Sequence, residues 1–73
     1  MDEIQVGDHV QVYLNAKNWG RDKWFNGTVV RIDPYSEHRS FHWVELDADA
    51  QAALGSGMKV ISVFNPKNIR KRN

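Results

Sequence analysis

The residues of this chain best suited to chemistry are its aromatics. Tyr13, Trp19, Trp24, Tyr35 and Trp43 fall in or beside polar segments or on the polar phase of strand-like runs. Trp and Tyr at such positions offer large, rigid contact area with a polar handle, which suits a binding surface. Facing a cation, each ring adds roughly 0.5–2 kcal/mol of cation–π attraction. The plainer alternative is that so small a domain uses its rings to cover the core and shield sheet edges. Basic residues form a second constellation: Lys17, Arg21 and Lys23 in one segment, Lys67, Arg70, Lys71 and Arg72 in another. If the two meet beside Trp19 and Trp24, phosphate contact plus base stacking follows. The alternative there is a solvated tail. Glu45, Asp47 and Asp49 lie far along the chain from that tail, an asymmetry that allows self-association.

Other chemistry finds little support. His38 and His42 are four apart, a spacing that serves metal binding on a helix. In an extended run the same spacing reaches ~13 Å, too far for one ion. No metal site and no cofactor are expected. The serines have no elbow or triad context, so no catalytic residue is assigned and the chain is expected not to be an enzyme. Asn26-Gly27-Thr28 matches a glycosylation sequon, which matters only in an exported protein.

The elements that must hold these residues show mostly period two. In His9–Leu14, Val10, Val12 and Leu14 point one way and His9, Gln11 and Tyr13 the other, a strand with one buried face. Val6-Gly7-Asp8 is turn-like. Asn15–Lys23 is polar and reads as a long loop carrying Trp19. Strand character resumes over Trp24–Ile32. There Asn26-Gly27 is either a hairpin turn or a strand glycine at a bulge or close crossing. The phase conflict between Val29 and Ile32 favours the bulge. Asp33-Pro34-Tyr35-Ser36 reads as a turn, Phe41–Leu46 as a third strand and Met58–Phe64 as a fourth. Asp47–Gly57 has four alanines, an acidic start and Gly55 after Leu54; it suits one or two helical turns or a loop. Pro66 ends the fourth strand, and Pro66–Arg70 suggests a 3₁₀ turn returning Ile69 to the core before a short fifth strand near Arg70–Arg72.

Four or five short strands with this spacing predict a small antiparallel all-β barrel. The runs Val6-Gly7-Asp8-His9-Val10, Trp24-Phe25-Asn26-Gly27-Thr28-Val29, His42-Trp43-Val44-Glu45-Leu46-Asp47 and Phe64-Asn65-Pro66-Lys67-Asn68-Ile69-Arg70 resemble the SH3-like barrel over nearly the whole chain. Tudor-like domains of this superfold hold methylated cations in an aromatic cage. The type II dihydrofolate reductases have a similar barrel, four to a pore, with a Gln-Ile-Tyr stretch on the fourth strand. Here that stretch is Val60-Ile61-Ser62-Val63-Phe64, without the Gln and Tyr. The superfold hosts many functions.

Composition sets the frame. The chain has 73 residues, 41% hydrophobic and 26% charged, with a net charge of +1 and no cysteine. That is one domain over 1–73, SH3-like by the resemblance above, with a helical or loop insert near 47–57 and no disulfide or thiol chemistry. The charge balance excludes a strongly basic nucleic-acid binder. No apolar run approaches a membrane span and the acidic start lacks a signal-peptide pattern, so no membrane partner and a cytoplasmic location are expected. The expected core is Val10, Val12, Leu14, Ile32, Val44, Leu46, Val60 and Ile69. With Val60 inward, Ile61 and Val63 need cover from 47–57 or from a second subunit, so a homo-oligomer through the fourth strand is expected. The leading functional expectation is a binding module for a protein or peptide, with Trp19 and Trp24 neighbours in its groove. A nucleic-acid accessory protein is the alternative, and a pore-type oligomeric enzyme a lesser one.

Overall fold

The computed structural model describes residues 3–14, 23–55 and 57–72. The alternating segments form five strands: β1 (His9–Leu14), β2 (Lys23–Ser36), β3 (Arg39–Leu46), β4 (Val60–Val63) and β5 (Ile69–Lys71). Between β3 and β4 lies one short helix, α1 (Ala48–Leu54), and a 3₁₀ turn (Pro66–Asn68) leads into β5. All strand pairs are antiparallel, in the order β4-β3-β2-β1-β5. The all-β class and the helical insert within 47–57 are as the sequence predicts. The sheet is bent but not closed into a barrel: β4 and β5 are its two edges, and no ladder joins them.

The bend is built into β2. Its first half pairs with β1 and its second half extends beyond β1 along β3. Gly27 lies in the strand, not in a hairpin turn. A Cβ there would stand 2.5 Å from Val44 Cγ1 and 2.7 Å from the Glu45 carbonyl oxygen, so only glycine lets the two strands cross this closely. The register then shifts between Val29 and Arg31, leaving Val30 unpaired and 44% exposed. This is the bulge that the phase conflict between Val29 and Ile32 demands.

The reading of 33–36 as a turn is corrected. Asp33, Pro34 and Ser36 pair with Phe41, Ser40 and Arg39, and the turn is Glu37-His38. Proline is admitted because, among the described residues, β2 has no strand on its other side there, so its missing N–H breaks no ladder bond. The expected fifth strand moves one residue earlier, to Ile69–Lys71.

The core consists of Val10, Val12, Phe25, Val29, Val44, Leu46, Ala50, Ile61, Val63 and Ile69, with Ile4, Leu14, Ile32 and Leu54 packed against it. Val60 is the exception to the expected set. It is 42% exposed, while Ile61 and Val63 face inward. Register explains this: Val60 pairs with Glu45 on the outer face, and Ile61 with the fully buried Val44. Ile61 and Val63 are therefore covered within the chain. Ala50 is the buried residue of α1, which starts after Asp47 and is capped by Gly55, φ +64°, whose N–H bonds the Gln51 carbonyl. That left-handed cap is the one Gly adopts at least cost.

Candidate aromatic and basic surface

Period two puts the polar phase of β1, β2 and β5 on one outer face. Its cross-strand registers place Tyr13 opposite Trp24 and Gln11 opposite both Asn26 and Arg70. The rings of Tyr13 and Trp24 lie 5.5 Å apart, tilted by 60°. The Arg70 guanidinium stacks on the Trp24 ring at 3.9 Å, and its Nε donates to Gln11 Oε1 at 2.9 Å. Gln11 Nε2 in turn donates to Asn26 Oδ1 at 3.1 Å. Farther along this face, Thr28 Oγ1 lies 3.4 Å from His9 Nδ1. A residue from each of the three strands thus contributes to one connected polar and aromatic layer.

Tyr35 lies at the opposite end of β2 and is 70% exposed. It meets Phe41 and Phe64 edge-on, with centroids at 6.0 and 5.4 Å, and those two rings are 4.7 Å apart. The Arg39 guanidinium sits over Phe64 at 5.4 Å. Phe41 and Phe64 were not among the expected site residues. The signal for them was the hairpin register: once the turn is Glu37-His38, Tyr35 and Phe41 fall on one face.

Trp43 lies between these ends, on β3. Its indole N–H donates to Asp33 Oδ2 at 2.9 Å, and Arg31 Nε donates to Asp33 Oδ1 at 2.8 Å. The bond from Arg31 first, then that from Trp43, holds the Asp33 carboxyl below its ordinary value. Trp43 is thus an outward residue, as its strand phase predicts, fixed by a carboxylate.

Of the expected aromatic set, the structure brings Tyr13 and Trp24 together, places Tyr35 with two phenylalanines and ties Trp43 to Asp33. Trp19 lies outside the described residues, and so does its expected proximity to Trp24. A cation held by rings sits within ~6 Å of each centroid. Tyr35, Phe41 and Phe64 pack on one another, and the face of Trp24 is covered by Arg70. Both clusters already carry a cation from this chain, and neither is arranged as an open cage.

The basic residues divide similarly. Lys17 and Arg21 lie outside the described residues. Lys23 stands 5.8 Å over the Phe25 ring. Arg70 is engaged by Trp24 and Gln11, Lys71 Nζ lies 3.5 Å from Asp8 Oδ2, and Arg72 Nη1 lies 3.4 Å from Asp47 Oδ2. Asp8 is prepared for its role: its carboxylate accepts the Gln5 backbone N–H at 2.8 Å, the main cause that lowers its pKa, with Lys71 adding to it. Lys67 is exposed on the 3₁₀ turn. The end of the chain is an edge strand whose cations are mostly paired within the fold, and Asp47 of the acidic stretch is one of their partners.

Among the described residues, no helix is long and apolar enough to cross a membrane. Comparison with protein-family models, with curated proteins and with solved structures gives no match.

Proposed function

We propose that this chain is a non-enzymatic binding module that engages a protein or peptide segment through its outward aromatic side chains, with Tyr35 as the principal anchor. One observation carries the reading. Tyr35 is 70% exposed yet rests against Phe41 and Phe64, a ring presented on a rigid support. Such a ring loses little conformational freedom on binding and offers apolar faces with a hydroxyl at the tip. Arg39 beside it favours a segment that places a carboxylate next to an apolar or aromatic residue. Trp24 is the weaker candidate, because Arg70 already covers its face.

The nucleic-acid alternative loses support from the pairing of Lys71 with Asp8 and Arg72 with Asp47. A phosphate contact by Lys71 or Arg72 would have to displace that residue's carboxylate partner. A cytoplasmic location is part of the proposal and rests on composition alone.

The test is selection of binders from a displayed random peptide library, followed by titration of a selected peptide. Tyr35→Ala should weaken binding about tenfold or more, as loss of an interface anchor does, while Trp24→Ala has a smaller effect. Unchanged affinity in Tyr35→Ala would remove the anchor. Tight binding to oligodeoxythymidine that collapses with added salt would favour the alternative instead.

A further inference from the structure

In an antiparallel ladder, residues alternate between those whose backbone N–H and C=O bond the neighbouring strand and those whose groups point away from it. The register identifies both kinds here. The Leu46 N–H bonds the Lys59 carbonyl at 2.8 Å, and Val44 and His42 pair with Ile61 and Val63. Lys59, Ile61 and Val63 therefore bond β3, whereas the backbone groups of Val60 and Ser62 point to the open side of β4. Nothing among the described residues bonds them.

Two other stretches of the sheet have no partner strand among the described residues, the second half of β2 beyond β1 and the edge strand β5, and both are blunted. The second half of β2 carries Pro34, which has no donor there. β5 is three residues long and is flanked by the 3₁₀ turn. β4 has neither protection. No charged residue and no proline occurs from Val60 to Asn65. Apolar exposure also gathers along it. Met58 and Val60 are 37% and 42% exposed, and Phe64 continues the row into the Tyr35 cluster. Proteins ordinarily protect such an edge with charge, proline, a bulge or a cover.

We infer that the β4 edge pairs with β4 of a second copy of this chain, antiparallel about a two-fold axis. Self-complementarity selects this occupant. With the axis at Ile61, Val60 of one copy faces Ser62 of the other, and Ser62 faces Val60. These are two hydrogen-bonded pairs made from the groups that point outward. Ile61 faces Ile61 on the core side, and the register continued one step brings Met58 toward Phe64 of the other copy. Lys59 falls opposite Val63, so no like charges meet. The pairing joins two five-stranded sheets into one and needs no change in either core. A domain this small, without disulfides, gains most from such added burial.

The full-length chain should show a mass in sedimentation equilibrium that rises from monomer to dimer between micromolar and millimolar concentration. Over the same range the Val60 and Ser62 amides should become protected from hydrogen exchange, while those of Ile61 and Val63 are protected throughout. Val60→Lys, which puts a charge on the edge, should raise the dimer Kd about tenfold or more, with an unchanged circular dichroism spectrum. Ser62→Pro should do the same by deleting an outward N–H. A chain that stays monomeric, or a dimer in which the Val60 and Ser62 amides exchange as fast as in the monomer, overturns the inference. So does a dimer that survives Val60→Lys.

Discussion

Gly27 and Asp33 are the two residues whose chemistry most constrains this surface. At Gly27 the space for a Cβ is already taken by Val44 and the Glu45 backbone. Gly27→Ala should therefore destabilise the chain by about 1–3 kcal/mol, the usual cost of overpacking a tight crossing; urea unfolding would measure it, and an unchanged midpoint would show that the strands can separate freely. At Asp33 the sign of the pH effect follows from the lowered pKa. A carboxyl whose folded pKa lies below its unfolded value stabilises the fold above the unfolded pKa. That contribution is lost as pH falls through the folded value. Thermal stability should therefore drop below about pH 4, where model carboxyls protonate, and the Trp43 indole N–H resonance should titrate with it. Asp33→Asn should be less stable at neutral pH and lack this part of the acid limb. Asp33 was legible in the sequence only as a turn residue, because its partner Trp43 lies on another strand.

Among the elements, β4 separates local from non-local information most clearly. Val60-Ile61-Ser62-Val63 reads equally well with either face inward, since both phases carry apolar residues. The register with β3 decides it by placing Ile61 against Val44. Val63→Ala should cost about 2–3 kcal/mol from lost burial and the cavity left, whereas Val60→Ala should stay within about 0.5 kcal/mol, as surface changes do. Denaturant titration of the two at concentrations where the chain is monomeric checks the phase; equal losses would contradict it. Elsewhere local signals sufficed. The polar–apolar alternation of β1 and β3, Gly55 after α1 and Pro66 before β5 each carry their own geometric reason. The turn between β2 and β3 was misplaced because Asp33-Pro34 is a strong local turn signal. It was overridden by pairing with β3, together with an open edge that tolerates the proline.

For the whole molecule, the basic end of the chain shows the same division. From the sequence it reads as a tail. In the fold it is an edge strand anchored by Ile69, which is 7% exposed, and Lys71 and Arg72 pair with Asp8 and Asp47. Arg72→Ala should change stability by no more than about 1 kcal/mol, because its ion pair is solvent-exposed, while Ile69→Ala should cost about 2–5 kcal/mol. On a domain of this size the second change would remove much of the stability. Melting curves of both variants at one protein concentration distinguish them, and comparable losses would mean the ion pair carries the strand.

By itself the sequence determined the all-β class, the approximate place of each strand, the bulge after Val29 and the outward phase of Tyr13 and Trp43. All of these follow from period two and from residues with restricted backbones. Only the tertiary structure decided which aromatic meets which, that Arg70 occupies the face of Trp24, that Phe41 and Phe64 support Tyr35, and that the sheet stays open with β4 at its bare edge. Those facts depend on the register between strands distant in the chain. Register is set by how the apolar faces bury one another, so it is not written in any single segment.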